Sequence, residues 1–244
     1  MCQVANVPPP QPPVFGPGKA FACFGVYLGA QIVVGIAAVL PFALRPSLTW
    51  PTWLLPAVAL GSLATGALAL WVFLRVLLGG PVRERGREIF GLFASSLPRN
   101  AGAALAGGGL AGLSLAVAPL LVPPPDSGGP LHEMATSSDL GMLVLVVIAL
   151  VVAPPLEEFL FRGVMFHGLS RRLAPWLAAL IVTVIFAALH VVENLNYWPA
   201  VASITLLAVL LIVLRMRYIS LAPALVAHFA FNAVMIVFAV ATRA

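Results

Sequence analysis

Lysine is almost missing from this chain, which has one (Lys19) against twelve arginines. Acids are scarce too: Asp and Glu together number eight, and only 9% of the 244 residues are charged. A soluble domain carries about 25% charged residues. So little charge, beside 61% hydrophobic residues, excludes that class. Two cysteines, Cys2 in a polar tail and Cys23 in an apolar run, do not indicate a disulfide framework. No internal repeat is visible. The stretch "MCQVANVPPPQPPVFGPG" lacks a basic region, so residues 1–18 read as a disordered Pro-rich tail rather than a signal peptide.

What is present is apolar sequence in long runs, with a mean hydropathy of +1.07. The runs cover about 20–44, 53–78, 101–122, 138–172, 174–192, 199–214 and 221–242. Except for 138–172, which is longer, each is close to the roughly 17–25 residues that a membrane-crossing helix needs. The expected fold is therefore all-α, a polytopic transmembrane bundle of about seven spans, with the lipid bilayer as its solvent. A pI near 10 would raise nucleic acid as a partner of a soluble domain. Here the arginines stand between apolar runs, where they mark topology instead, and no nucleic acid is expected. Loops bearing Arg83, Arg85, Arg87 and Arg99, then Arg171 and Arg172, then Arg215 and Arg217 alternate with loops lacking basic residues. Positive-inside logic places these loops and the N-terminus in the cytoplasm and the C-terminus outside, with Arg45 against the scheme.

Punctuation divides the chain further. Ile89, Phe90, Leu92, Phe93 and Leu97 share one helical face, which predicts a short helix on the membrane surface. Gly108 and Gly112 are spaced to let two spans approach closely. The segment "PPPDSGGPLHEMATSSD" reads as loop, with Ser138 and Asp139 as caps of the next span. Pro154-Pro155 inside that span predicts a kink that frees backbone carbonyls. The expected organisation is the tail 1–18, N-terminal spans with the interfacial helix over 19–138, and a catalytic core over 139–244.

Within the apolar runs the expensive residues are Glu157, Glu158, Arg162, His190, His228 and Asn232. A charged group at a helix centre costs about 2.5–3.5 kcal/mol on insertion scales, so a functional role is the default expectation. Counting places them at similar depths. Glu157 lies about 22 Å along its helix from Arg172, His190 about 24 Å from Ala174, and His228 about 16 Å from Arg217, at the helical rise. Glu158 and Arg162 are four apart and can pair. Glu157 points about 100° away from Glu158 and can face another partner. His228 and Asn232 share a face, and Phe186, four before His190, can wall that imidazole.

The order E-E-x-x-x-R, F-x-x-x-H, H-x-x-x-N on successive spans resembles the CAAX-protease and bacteriocin-processing family. This is the Abi or CPBP group of intramembrane endopeptidases, which includes the prenyl-protein proteases. The resembling segment covers about 139–242. The resemblance implies a peptide hydrolase in which Glu157 activates water and His190 helps to hold or deprotonate it. It makes His228 and Asn232 the oxyanion donors and Arg162, paired with Glu158, their support. No cofactor is then required, and the partner is a membrane-anchored protein or peptide substrate.

Other readings remain open at this stage. Glu157, His190 and His228 could ligate zinc as in a metalloprotease, although H-E-x-x-H is lacking. The same groups could relay protons in a transporter, or the chain could be a non-catalytic peptide-immunity protein. Arginine-for-lysine usage and small Ala/Gly-rich spans suit a GC-rich bacterial genome, hence a bacterial plasma membrane. His167 reads as packing, and His132 carries no inference in its loop. Glu193, Asn194 and Asn196 could rim an entrance, while Trp176 and Trp198 fit interfacial anchors.

Overall fold

With no water to satisfy free backbone groups inside a bilayer, an apolar chain that crosses one repeatedly must be helical or a closed barrel. A computed structural model describes residues 15–79, 86–87, 89–123, 130–191, 194 and 197–242. Of these, 85% are helical and none lies in a strand. Most of the predicted tail, with Cys2, lies outside the described residues, as do Arg83, Arg85, Glu193 and Asn196.

The long helices are α1 (Pro17–Leu44), α2 (Leu54–Leu78) and α3 (Leu97–Leu121). After the short α4 (Pro130–Ser137) come α5 (Asp139–Ser170), α6 (Pro175–Val191), α7 (Trp198–Arg217) and α8 (Ala222–Ala241). Six of them are long and apolar enough to cross a membrane, and α6, at 17 residues, is the shorter seventh. The chain is an integral, multi-pass membrane protein, as its hydropathy predicts.

Three sequence expectations change. The surface helix is helical at 86–87 and 89–90 and stops at Gly91, with 92–96 non-helical before α3 begins. Gly91 has φ +76° and packs where a Cβ would strike the Ile219 carbonyl, so the chain turns there. The predicted loop before α5 contains α4, which carries His132; Met134 is buried and ties this short helix to the bundle. Ser138 does cap α5, accepting from the Gly141 amide at 3.0 Å. The close helix approach falls at Gly107 rather than at Gly108 and Gly112. A Cβ on Gly107 would land on the Ala227 carbonyl of α8, whereas Gly108 is 3.7 Å from Val234 and Gly112 faces open space. Ala103 and Ala111, each four residues from Gly107, are buried with it. The small-residue stripe is therefore 103–107–111, one register away.

The helices pack around α5. Leu160, Phe161, Val164 and Met165 of α5 share a core with Cys23 and Tyr27 of α1, Leu70 and Leu74 of α2, Val182 and Phe186 of α6, and Ala208 of α7. A second core joins α3, α7 and α8 through Ala103, Leu211 and Ala227. The first helices thus wrap the segment that bears the glutamates.

Candidate active site

Helix α5 does not break at its proline pair. It widens into two π-helical stretches, Ile148–Val152 and Glu158–Met165, separated by one α-helical turn, Ala153–Glu157. In the first stretch the Ala153 amide donates to the Ile148 carbonyl, five residues back. The next rung would run from residue 154 to the Ala149 carbonyl, but Pro154 has no N–H. Asn232 fills the gap: its Nδ2 donates to the Ala149 carbonyl at 2.8 Å. The proline pair does free a carbonyl, and α8 supplies the donor.

The second stretch begins at the glutamates. Arg162 Nη1 donates to Glu158 Oε1 at 3.0 Å, and its Nη2 donates to the Ala208 carbonyl of α7 at 3.2 Å. The guanidinium lies 4.4 Å from the Phe186 ring centroid and is fully buried. His228 of α8 places Nδ1 2.9 Å from the same Glu158 oxygen. A carboxylate can only accept, so His228 carries its proton on Nδ1 there. Glu158 is thus held by two donors from two helices and is itself buried. Removing one partner of such a buried pair would cost about 3–5 kcal/mol.

Glu157 is held differently. Its Oε2 lies 3.7 Å from His228 Nε2, within ion-pair range but beyond a hydrogen bond, and its side chain is 18% exposed. The sequence expectation that Glu157 faces another partner than Glu158 is not met in full, since both glutamates share His228. His228 sits between the two carboxylates, one ring nitrogen toward each.

His190 joins the group through Phe186, whose ring centroid is 4.6 Å from that of His190 and 6.3 Å from that of His228. His190 Nδ1 lies 2.8 Å from the Phe186 carbonyl. A carbonyl accepts, so the proton is on Nδ1 and, in the neutral ring, Nε2 keeps a lone pair that can accept a proton or hold a water. Asn194 donates to the His190 carbonyl at 2.9 Å and fixes the end of α6. His167 stands apart, 6.3 Å from the ring centroids of both Phe15 and Phe90, and reads as packing.

Glu157, Glu158, Arg162 and His228 are thus brought together directly, and His190 through a shared aromatic wall. Asn232 is directed by its hydrogen bond to the first π stretch. Tyr27 of α1, buried and within electrostatic range of Glu157, belongs to the surroundings as well. Sequence reading missed it, because a lone phenol in an apolar run gives no distinctive signal. Whether the set fits zinc can be tested on its geometry. Among the described residues no three His, Cys, Asp or Glu side chains converge as a metal group, and His228 Nδ1 is engaged by Glu158. Glu157, His190 and His228 do not form a ligand trio in this arrangement.

Comparison with known proteins adds one match. Residues 139–234 fit the family model described as Rce1-like, type II CAAX prenyl endopeptidase Rce1-like. The matched segment is less than half of the chain and contains all six candidate residues. No curated protein and no solved structure matches the chain.

Proposed function

We propose that this protein is an intramembrane endopeptidase acting on membrane-anchored proteins or peptides, a reading supported by the match of residues 139–234 to the Rce1-like family model. The observation that carries this reading is the division of labour between the glutamates. Glu158 is immobilised by Arg162 and His228, while Glu157 is partly exposed and lies 3.7 Å from the far nitrogen of that histidine, beyond hydrogen-bond range.

In this reading Glu157 takes a proton from a water as the water oxygen bonds to the scissile carbonyl carbon. His190 Nε2, with its lone pair, holds that water from the other side. The carbonyl π pair moves onto oxygen, and the resulting oxyanion needs donors already in place. His228, its Nδ1–H anchored on Glu158, supplies one from Nε2 when that nitrogen also carries a proton. Asn232 spends one amide hydrogen on Ala149 and keeps the other for the oxyanion. Collapse breaks the C–N bond, and the leaving amine takes the proton that Glu157 acquired. Arg162 acts only through Glu158, so it is a positioning residue. No step is routed through a metal. The composition suits a bacterial plasma membrane as the setting.

The test is cleavage of a library of membrane-anchored peptides by the purified protein in detergent. Glu157→Gln should lower the rate by at least about 10²-fold, the scale of a lost general base, while leaving folding intact. Glu158→Gln should lower both activity and thermal stability. A Glu157→Gln protein as active as wild type would sink the reading. Loss of activity with a chelator and its return with zinc would replace it with the metal mechanism.

A further inference from the structure

A second polar site lies at the arginine-bearing end of the bundle, away from the glutamates. A cleft of about 760 Å³ opens between the 93–95 segment, the start of α3 and the 217–220 connection. Its lining includes Ser95, Arg99, Arg217, Tyr218 and Ser220, and none of the lining residues is acidic. Arg99 stacks over the Tyr218 ring at 5.4 Å. Neither Arg99 nor Arg217 pairs with a carboxylate among the described residues.

The charge there is one-sided for a further reason. Both α3 and α8 begin at the cleft's edge, and neither has an acid in its first turn. Helix N-termini carry about half a positive charge each. Arg99 nevertheless sits in the first turn of α3, where a cation is unfavourable, with Arg217 across the cleft. Topology alone requires arginines on this face, but Arg171 and Arg172 meet that need without lining this cleft. Apolar surface stands beside this charge: Ile219 of the lining is 76% exposed, and Leu97, the first residue of α3, is 81% exposed. A ligand suited to both would carry an anionic head and apolar tails.

We propose that this cleft binds the phosphate head group of an anionic phospholipid, with its acyl chains against Leu97 and Ile219. Head-group binding would also brace the candidate active site. Arg215 donates through Nη1 to the Tyr218 and Ile219 carbonyls at 3.2 and 3.0 Å, and through Nε to the Arg162 carbonyl at 3.1 Å. The cleft wall and the turn that carries Arg162 therefore share one guanidinium. The 217–220 wall is itself fixed, since Ser220 donates to the Phe93 carbonyl and the Leu221 amide donates to the Gly91 carbonyl at 2.9 Å.

The test does not depend on proteolysis. Thermal unfolding of the full chain in neutral detergent is followed while phosphatidylglycerol, phosphatidylcholine or glycerol 3-phosphate is titrated. Phosphatidylglycerol should raise the midpoint by several degrees and phosphatidylcholine should not. The Arg99→Gln/Arg217→Gln variant should need about tenfold or more phosphatidylglycerol for the same shift, given the attraction of two cations. Arg45→Gln, at the end of α1, should respond as wild type does. Equal stabilisation of the double variant, equal stabilisation by phosphatidylcholine, or no shift at all overturns the proposal. An equal shift with glycerol 3-phosphate assigns the cleft to a soluble phosphoester and also overturns the lipid. If the double variant does not fold, the same titration of Arg99→Gln decides, with Arg99→Lys expected to retain binding.

Discussion

The two π-helical stretches of α5 invite comparison because each leaves a backbone carbonyl to a side chain from another helix. In Ile148–Val152 the acceptor is Ala149 and the donor is the neutral amide of Asn232. In Glu158–Met165 the acceptor is Arg162 and the donor is the guanidinium of Arg215. The first stretch follows from chemistry in its own sequence, a proline that cannot donate. The second holds a buried charge pair whose partners come from α7 and α8. A widened turn inside a bilayer therefore has two routes to stability: replace a missing donor, or tie the turn down with charges that are costly to separate. The glutamates stand where the two regimes meet, Glu157 ending the intervening turn and Glu158 opening the second stretch.

The largest break in that comparison should come from the charged stretch. Arg162→Met removes the cation and leaves Glu158 buried with His228 alone. A loss of about 3–5 kcal/mol is expected, read as a lower unfolding midpoint in detergent. The double variant Arg162→Met/Glu158→Gln should recover part of it, because the orphaned charge is then gone. If the single variant is as stable as wild type, the second stretch is not held by its ion pair.

A smaller effect should come through α8, which serves both stretches. Gly107→Val drives a side chain into the Ala227 carbonyl, next to His228. Overpacking of this kind costs about 1–3 kcal/mol, and here the upper end is expected because the obstacle is backbone. Gly112→Val, facing open space, should be within about 0.5 kcal/mol of wild type on the same assay, as surface changes are. Equal losses for the two variants would place the approach of α3 and α8 elsewhere along the stripe.

That pair of variants also shows what the sequence could and could not reveal. The bilayer makes each polar residue costly, so Glu157, Glu158, Arg162, His190, His228 and Asn232 stood out without any structure. The i,i+4 spacing was enough to pair Glu158 with Arg162, because that contact lies on one helix. Contacts between helices were not legible. Small residues at 103, 107, 108, 111 and 112 offer overlapping registers, and only packing selects 103–107–111. Asn232 was readable as polar, but its partner is a backbone carbonyl, which no residue pattern encodes. Tyr27 was hidden because a lone tyrosine in an apolar run is ordinary. Helix α4 was hidden because eight residues are too few to show periodicity.

The finest test separates the first stretch from the second. If Asn232 stabilises the fold by supplying the donor that Pro154 lacks, its value must depend on that proline. Asn232→Ala should cost about 1–2 kcal/mol in wild type, the penalty of an unsatisfied buried carbonyl. Pro154→Ala restores a backbone N–H in register with Ala149, so the same Asn232→Ala change should cost much less in that background. The coupling read from the four proteins should be about 1 kcal/mol. Equal costs in both backgrounds would mean that Asn232 contributes through something other than the missing rung. Arg215→Gln provides the contrast. Its acceptor, the Arg162 carbonyl, lies outside the proline pair, so its cost should be the same whether residue 154 is proline or alanine. Two carbonyls on one helix would then be satisfied from two neighbours, only one of them because the chain lacks an N–H.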